Sequence, residues 1–321
     1  MLFEKLILGI YRKNLFVRND NPDGIFYFSP EDFEGLQAHP YSFRARAGHE
    51  LKGYFYHYPH PISGRVVVFD HGMGNGHRAY MREIETLAKA GFLVFSYDHT
   101  GCMSSGGESC NGFATSLSDL DACMEALKAE KALEGYSFSV MGHSWGGFST
   151  MNITALHPEI THVVSMSGFV SVKRILEQTF TGFMKFYLKA VMDLERQTNE
   201  KYVSFDAVET LKDTDAKVLL IYSEDDPIVR KDFHYDMLHQ ALEGKENIRF
   251  HLEQGKGHNP TYTVDAVKYK AGFFEELQKI RENRSRIALE AKRTFMDGYN
   301  WRRMTEQDRK VWELIVSHLK A

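Results

Sequence analysis

One stretch decides the fold predicted for this chain, and it reads Ser139-Val140-Met141-Gly142-His143-Ser144-Trp145-Gly146-Gly147-Phe148. The apolar residues 138–141 predict a buried strand, and residues 148–156 are compatible with a helix that His157-Pro158 would end. A serine two residues from a glycine on either side indicates a sharp strand-to-helix turn, because only glycine leaves room beside such a strained residue. This turn would lift the Ser144 hydroxyl above a sheet, beside the unpaired N–H groups of a helix N-terminus.

Composition narrows the class of protein before any other motif is considered. The chain has 321 residues, enough for one large or two small domains, and its net charge of −4 with no basic run gives no sign of nucleic-acid binding. Three cysteines without Cys-x-x-Cys spacing favour reduced thiols in a cytoplasmic protein over a disulfide framework or a metal site. No apolar run reaches transmembrane length, so we expect no integral membrane segment.

The pattern of apolar residues predicts eight strands, at residues 41–46, 51–58, 66–69, 92–97, 138–141, 162–166, 218–222 and 248–252. The first two strands alternate apolar and polar residues, which indicates an antiparallel hairpin at a sheet edge. The later strands are continuous apolar runs and alternate with helical patterns, as at residues 79–90 and 117–133. We therefore predict an α/β fold with a mostly parallel eight-stranded sheet and helices on both faces.

Three segments do not fit this simple alternation. Residues 1–38 are predicted to form an N-terminal helical extension, with a docked helix at residues 1–11. Residues 169–214 are too long for one crossover, and their aromatic residues indicate a helical cap over the carboxyl ends of the strands, where ligands bind in such sheets. The core then comprises residues 39–168 and 215–321. Its C-terminal tail is predicted to hold helical segments at residues 281–293 and after Thr305-Glu306-Gln307-Asp308.

The serine at the turn needs a base and an orienting acid before it can act as a nucleophile. In chains with this turn the acid and then the histidine follow the serine, each after a strand. The strand at residues 218–222 ends in three acidic candidates, Glu224, Asp225 and Asp226. The last strand leads into Gly255-Lys256-Gly257-His258, where the glycines would let His258 reach across to Ser144.

Acyl chemistry also needs backbone donors for the negative oxygen of a tetrahedral intermediate. The N–H group of Trp145, directly after the serine, is the first candidate. The second is expected in the loop after the strand at residues 66–69, where His71-Gly72-Met73-Gly74 offers the N–H group of Met73. Two loops would thus meet at one oxyanion hole.

Four motifs together resemble the α/β-hydrolase superfamily: Asp70-His71-Gly72, Gly142-His143-Ser144-Trp145-Gly146-Gly147, Asp225-Asp226-Pro227-Ile228-Val229 and Gly257-His258. The resemblance covers about residues 41–265 and is nearest to the lysophospholipase, monoacylglycerol lipase and serine aminopeptidase-like branch. It implies a Ser–His–Asp triad, no metal, no cofactor and a helical cap between strands six and seven. It favours Asp226 as the acid, since family members place that residue two positions before a hydrophobic residue and a valine. Asp98-His99-Thr100-Gly101 departs from the family's Asp-x-Arg-Gly turn by lacking the arginine.

These residues and the resemblance predict a serine hydrolase that cleaves a carboxylic ester, as carboxylesterases and lipases do. An amidase or peptidase, a thioesterase or an acyltransferase could use the same triad, and a catalytically inert binding protein would be expected to lose a triad member. The predicted substrate is a small ester or acyl compound with a hydrophobic group, held by the predicted pocket residues His71, His143, Phe180 and Phe183. No pattern in the sequence specifies an oligomeric state.

Overall fold

An eight-stranded sheet forms the centre of the structure, a computed structural model that describes residues 2–20, 28–62, 64–74, 76–282 and 294–321. Its strands are β1 Gln37–Arg44, β2 Glu50–His57, β3 Arg65–Asp70, β4 Leu93–Tyr97, β5 Ser137–His143, β6 His162–Met166, β7 Lys217–Ser223 and β8 Ile248–Glu253. They lie in the order β1-β2-β4-β3-β5-β6-β7-β8. The β1–β2 and β2–β4 pairs are antiparallel, and all other neighbouring pairs are parallel. The predicted mostly parallel sheet with an edge hairpin is therefore confirmed.

Helices cover both faces of this sheet. They are α1 Leu2–Leu15, α2 Met81–Lys89, α3 Thr115–Ala129, α4 Trp145–Asn152, α5 Val172–Thr179, α6 Leu188–Asn199, α7 Ala207–Lys212, α8 Tyr235–Leu242 and α9 Val264–Glu282, followed by Trp301–Met304 and Arg309–Lys320. Because successive side chains of a strand point to opposite faces, β3 sends Val66 and Val68 into one apolar core and Val67 and Phe69 into the other. The first core includes α3, α4 and α8, and the second includes α2, α9 and the C-terminal helix.

The insertion between β6 and β7 consists of several short helices. Within the helical cap predicted at residues 169–214, α5 ends at Thr179 and α6 starts at Leu188. Gly182 has a φ of 56°, a left-handed conformation that breaks an α-helix, and a 3₁₀ helix, Gly182–Tyr187, fills the gap. The insertion therefore contains two separate α-helices, α5 and α6, joined by this 3₁₀ helix.

The N-terminal segment is docked on this insertion through α1. The Tyr11 hydroxyl donates a 2.5 Å hydrogen bond to Glu195 Oε1 on α6, and the ring of Tyr11 lies 6.4 Å from that of Phe180. Further along, the Arg18 guanidinium donates to the backbone carbonyls of Ser105 and Gly107 in the loop after β4. The docked helix that the sequence predicted near the N-terminus is thus present and contacts the insertion.

The boundaries of the predicted segments agree only in part with these elements. β1 begins at Gln37, inside the predicted extension 1–38, and the domain divisions at residues 38, 168 and 214 stay predictions. The predicted closing helix is present as Arg309–Lys320, with the Asp308 side chain capping the N–H groups of Lys310 and Val311. Residues 283–293 of the predicted segment 281–293 lie outside the described residues.

Candidate active site

Ser144 occupies a strained turn between β5 and α4. Its φ of 56° and ψ of −108° lie where a residue with a side chain is rarely found. The two flanking glycines are required by close packing: a Cβ atom at Gly142 would collide with the carbonyl of Gly146, and one at Gly146 with the carbonyl of Asp70. The Ser144 side chain is therefore held at the carboxyl end of the central strands, at the start of a helix, as the sequence predicted.

His258 and Asp226 meet beside this serine. His258 Nδ1 lies 2.8 Å from Asp226 Oδ2, and the other carboxylate oxygen of Asp226 accepts the N–H groups of Ile228 and Val229 at 2.8 and 3.0 Å. Burial acts to raise the pKa of Asp226, but the contacts with His258 and the two N–H groups outweigh it and hold that pKa below its usual value. The carboxylate is thus ionised and fixes the orientation of the His258 ring.

The other two acidic candidates lie apart from the histidine ring. Asp225 accepts the Ser223 hydroxyl at 2.6 Å and the Gly257 N–H at 3.2 Å, so it organises the loops instead. Glu224 is exposed, and its backbone N–H binds the carbonyl of Glu253. Of the three candidates, only the side chain of Asp226 contacts the ring of His258 in the part of the chain that the structure describes.

Ser144 and His258 line one cavity of about 530 Å³. No hydrogen bond joins their side chains among the described residues, which is common before a substrate tightens a catalytic site. The cavity is bounded by the loop after β3, the turn at Ser144, the loops after β7 and β8, and α9. Its volume falls in the range of pockets that bury small organic ligands.

Two backbone N–H groups are positioned as candidates for an oxyanion hole. Met73 lies on the cavity wall, and Trp145 is the first residue of α4, where a helix leaves its N–H groups without intrahelical partners. Neither the Met73 nor the Trp145 backbone N–H donates to another described residue. Both groups are therefore available for an oxygen that develops negative charge above Ser144.

His143 connects the loops on the two sides of Ser144. Its Nε2 lies 2.6 Å from the carbonyl of His258 and so carries the proton, while its Nδ1 accepts from the Tyr80 hydroxyl at 2.8 Å. That hydroxyl in turn accepts the Gly72 N–H at 3.2 Å. Burial, assisted by the nearby His258, lowers the pKa of His143 to about 3, so the ring stays neutral and keeps this arrangement.

A known protein family matches the part of the chain that contains Ser144 and Asp226. The model of the family described as serine aminopeptidase, S33 matches residues 62–256, more than half of the chain. This chain belongs to that family. The matched segment runs from the loop before β3 to the loop before His258, so it contains Ser144 and Asp226 but stops just short of the histidine.

Solved structures of several hydrolases share the fold of this chain. An esterase of Pyrococcus furiosus is 19% identical with a TM-score of 0.60, over 82% of this chain and 98% of that one. An acylaminoacyl peptidase of Pyrococcus horikoshii is 19% identical with a TM-score of 0.54, over 71% of this chain and 39% of that one. The α/β hydrolase GrgF of Penicillium sp. sh18 is 15% identical with a TM-score of 0.51, over 80% of this chain and 99% of that one. No curated protein matches the chain in sequence.

The loop after β4, which has no arginine, is held by buried polar contacts of Thr100 and His99. Thr100 donates its N–H and its hydroxyl to the two carboxylate oxygens of Asp119, at 2.7 and 2.8 Å. His99 lies between Asp119 and Asp70, 3.4 and 2.9 Å from their carboxylates. Burial would lower the pKa of His99, but the two carboxylates outweigh it and raise that pKa to about 10. His99 is thus a buried imidazolium, and its positive charge lies between the carboxylates of Asp70 and Asp119.

Three of the four predicted pocket residues do not line the cavity. His71 is buried, accepts the His99 N–H at 3.1 Å and contacts the Gly72 carbonyl at 2.6 Å, so it orients the loop after β3. Phe180 is buried against Tyr11, and Phe183 is 71% exposed on the insertion. Phe180 and Phe183 therefore do not line the cavity in this structure, and the pocket wall proposed at them stays a prediction, whereas His143 does lie on the wall.

The wall that the sequence analysis assigned to the insertion is instead formed by α9. Val267, Lys270, Ala271 and Phe274 face the cavity at the three- and four-residue spacing of one helix face. Sequence reasoning did not predict α9, although Val264, Val267, Ala271 and Phe274 carry that spacing. Its start at Val264, a few residues after His258, places the helix beside the loop that carries this histidine.

Two general features of the described residues are their potential metal ligands and the apolarity of their helices. These residues include no group of three or more His, Cys, Asp or Glu side chains placed to hold a metal ion. None of the helices they form is both long and apolar enough to cross a membrane.

Proposed function

We propose that this chain is a serine hydrolase that cleaves a carboxylic ester through Ser144, His258 and Asp226. The observation that carries the proposal is the 2.8 Å contact between His258 Nδ1 and the ionised, buried Asp226, with His258 and Ser144 on one cavity. Membership in a hydrolase family agrees with this chemistry. The cytoplasmic location inferred from the cysteines stays a prediction.

The proposed reaction has two halves. The Ser144 oxygen attacks the ester carbon while His258 Nε2 accepts the hydroxyl proton, and the Met73 and Trp145 N–H groups bind the carbonyl oxygen as it becomes negative. His258 then passes the proton to the departing alcohol, which leaves an acyl group on Ser144. In the second half, His258 takes a proton from water, the resulting hydroxide attacks the acyl carbon, and Ser144 regains its proton as the acid departs.

The lining of the cavity favours an ester over the substrate of an aminopeptidase. A free amino terminus is a cation, and proteins bind such groups with carboxylates. None of the described residues that line the cavity is an aspartate or glutamate, and one of them is Lys270. Apolar side chains, among them Met73, Ile228 and Phe274, would instead contact the hydrophobic part of an ester.

The alternatives use the same residues and differ in what they accept. An amidase, a thioesterase and an acyltransferase would each form the same acyl group on Ser144, and the leaving or accepting molecule would distinguish them. An inert binding protein would need no ordered contact between His258 and Asp226. That contact favours an enzyme.

The test is hydrolysis of p-nitrophenyl esters, from acetyl to long acyl chains, by wild type and Ser144→Ala. We expect kcat/KM to fall by at least about 10³-fold in Ser144→Ala, since the nucleophile is lost. A fluorophosphonate probe should label the wild type and not this variant. Ser204→Ala, which changes an exposed serine, is the matched control and should keep both properties.

The other possible outcomes favour one of the alternative functions or contradict Ser144 as the nucleophile. Labelling without ester hydrolysis would favour the amidase or peptidase alternative. Absence of both labelling and hydrolysis in the wild type would contradict the serine hydrolase and favour the binding protein. Hydrolysis that persists in Ser144→Ala would show that another residue is the nucleophile.

A further inference from the structure

An exposed apolar stripe runs along α1, beside the face of this helix that packs against the protein. Ile7 is partly buried against the core and Tyr11 is buried within it, so these two residues belong to the packed face. Phe3, Leu6 and Ile10 follow one another at three- and four-residue spacing, and each is more than half exposed. Since the packed face already holds α1 in place, the fold does not require this second apolar stripe.

A second group of exposed apolar side chains lies on the insertion. Phe183 and Phe186, in the 3₁₀ helix between α5 and α6, are both more than two thirds exposed. The Phe180 ring, just before this 3₁₀ helix, lies 6.4 Å from the ring of Tyr11 on α1, so the two segments touch each other. Large exposed apolar patches usually mark a site of interaction. The side chains of the two groups are together called the apolar patch, which consists of Phe3, Leu6, Ile10, Phe183 and Phe186.

The charge around the apolar patch is opposite in sign to the charge of the whole chain. The chain has a net charge of −4, yet α1 and residues 180–190 together carry five basic side chains and one acidic side chain, Glu4. The five basic side chains are all exposed: Lys5, Arg12, Lys13, Lys185 and Lys189. None of them forms an ion pair with another residue in the part of the chain that the structure describes. Apolar side chains surrounded by basic ones are typical of helices that lie on an anionic lipid surface.

The insertion also brings the apolar patch close to the entrance of the cavity. Ile228 lines the cavity and is more than half exposed, which places this residue at the mouth. The side chain of Gln178, near the end of α5, donates to the Ile228 carbonyl at 2.9 Å and accepts the Arg230 N–H at 3.0 Å. Phe180 follows Gln178 by two residues. The segment that carries the exposed phenylalanines therefore starts at the rim of the cavity.

We propose that the apolar patch and the basic side chains around it dock this protein on an anionic lipid surface, with α1 lying in the interface. The apolar side chains enter the lipid layer, and the basic ones contact the charged headgroups. A second copy of the chain is a poorer occupant, because a symmetric dimer would place the same basic surface against itself. A partner protein is also less suited, since four of the five basic residues are lysines and lysine is depleted at protein interfaces.

The experiment measures how tightly the full chain binds to large unilamellar vesicles. Neutral vesicles contain phosphatidylcholine alone, and anionic vesicles contain a mixture of phosphatidylcholine and phosphatidylglycerol. The fraction of protein that sediments with each kind of vesicle gives a partition coefficient. This measurement needs no turnover, so its result does not depend on whether Ser144 is the nucleophile.

The apolar patch is tested by two double variants, Leu6→Ser/Ile10→Ser on α1 and Phe183→Ser/Phe186→Ser on the insertion. Each should weaken binding to anionic vesicles by at least about tenfold, because it withdraws two apolar side chains from the lipid. Ile62→Ser is the matched control, since it changes an exposed apolar residue just before β3, at the opposite end of the parallel strands. It should leave binding within about twofold of wild type. Circular dichroism shows whether each variant is folded.

The basic side chains are tested by Lys185→Gln/Lys189→Gln. We expect the wild type to bind anionic vesicles at least about tenfold more tightly than neutral ones, and this variant to reduce that preference by at least about fivefold. Lys131→Gln is the control, because it changes an exposed lysine just before β5, away from the apolar patch. It should leave the preference within about twofold of wild type.

Three results would overturn the docking proposal. They are a wild type that binds neither kind of vesicle, a wild type that binds both kinds equally, and binding that both apolar double variants retain. If the wild type bound no vesicles but formed dimers that these variants lost in sedimentation velocity, the apolar patch would be an interface between two copies of the chain. Absence of ester hydrolysis would contradict the proposed function alone and leave the result with vesicles unchanged.

Discussion

Two helical segments flank the carboxyl ends of the parallel strands, and they serve different purposes. The insertion at residues 169–214 is rich in aromatic side chains, yet Phe183 and Phe186 are 71% and 86% exposed and none of its residues lines the cavity. α9 is shorter and more polar, and one of its faces forms the cavity wall. The difference shows that the density of aromatic residues does not locate a binding wall. In this chain the wall is formed by the segment that follows the loop carrying His258.

The insertion has a partner of its own, which explains why it does not face Ser144. Glu195 on α6 accepts the Tyr11 hydroxyl and, at 3.0 Å, the backbone N–H of Phe113 before α3. These contacts tie the insertion to α1 and to the loop before α3. α9, in contrast, follows the His258 loop after only a few residues and is held against the site by chain connectivity.

We expect the largest effect from a substitution of Asp226, the proposed catalytic acid in the loop that leads to α8. Asp226→Asn should lower kcat by about 10⁴-fold with little change in fold. An amide side chain would stabilise the wrong tautomer of His258, and it could not stabilise the imidazolium that forms during the reaction. The measurement is steady-state hydrolysis of p-nitrophenyl butyrate, with circular dichroism to show that the variant is folded.

The neighbouring residue provides the control for this prediction. Asp225→Asn removes the charge of a side chain that contacts Ser223 and Gly257 but not the His258 ring, so kcat should fall by less than about tenfold. If the two variants exchanged these effects, the acid would be Asp225 and the reaction would use a geometry other than the one described.

The turn at Ser144 and the loop that carries His258 were predictable from the sequence because local backbone rules govern them. A strained residue between a strand and a helix needs glycine at Gly142 and Gly146, and glycines before His258 mark a loop that must bend. The strands of the parallel sheet were predictable for a similar reason, since burial on both faces leaves continuous apolar runs.

The wall of the cavity could not be predicted in the same way, because α9 is apolar on two faces. Phe273 and Leu277 are buried in the protein core, while Val267 and Phe274 face the cavity with Lys270 among them. A helix that uses two faces has no single apolar stripe, so its pattern is weak. The docking of Tyr11 on Glu195 was equally hidden, because it joins residues 184 positions apart.

The second prediction concerns the anchoring of the insertion. Burial raises the pKa of Glu195 to about 7, although the hydrogen bonds from Tyr11 and from the N–H groups of Phe113 and Ala114 oppose it. A pKa raised on folding means that this group stabilises the fold fully below about pH 4.5 and loses that contribution as the pH rises through about 7. Compared with Glu195→Gln, the wild type should therefore lose up to about 3 kcal/mol of unfolding free energy over that range.

Urea unfolding between about pH 5 and pH 8 measures this difference. Glu209→Gln is the matched control, because it changes an exposed glutamate in the same insertion and should show no such trend relative to wild type. A difference between wild type and Glu195→Gln that is independent of pH over this range would mean that folding does not raise the pKa of Glu195.

We expect the smallest effect from substitutions that compare α9 with the insertion as the segment that contacts the acyl chain. Phe274→Ala removes an aromatic ring from the cavity wall, and the ratio of kcat/KM for p-nitrophenyl octanoate to that for p-nitrophenyl acetate should fall by about tenfold. Phe183→Ala removes the same ring from the exposed surface of the insertion and should leave the ratio within about twofold of wild type. The opposite result, with Phe183→Ala lowering the ratio and Phe274→Ala not, would mean that the insertion closes over Ser144 when a long acyl chain binds. The wall formed by α9 would then belong to an open state, and the difference between the two segments would be one of conformation and not of position in the chain.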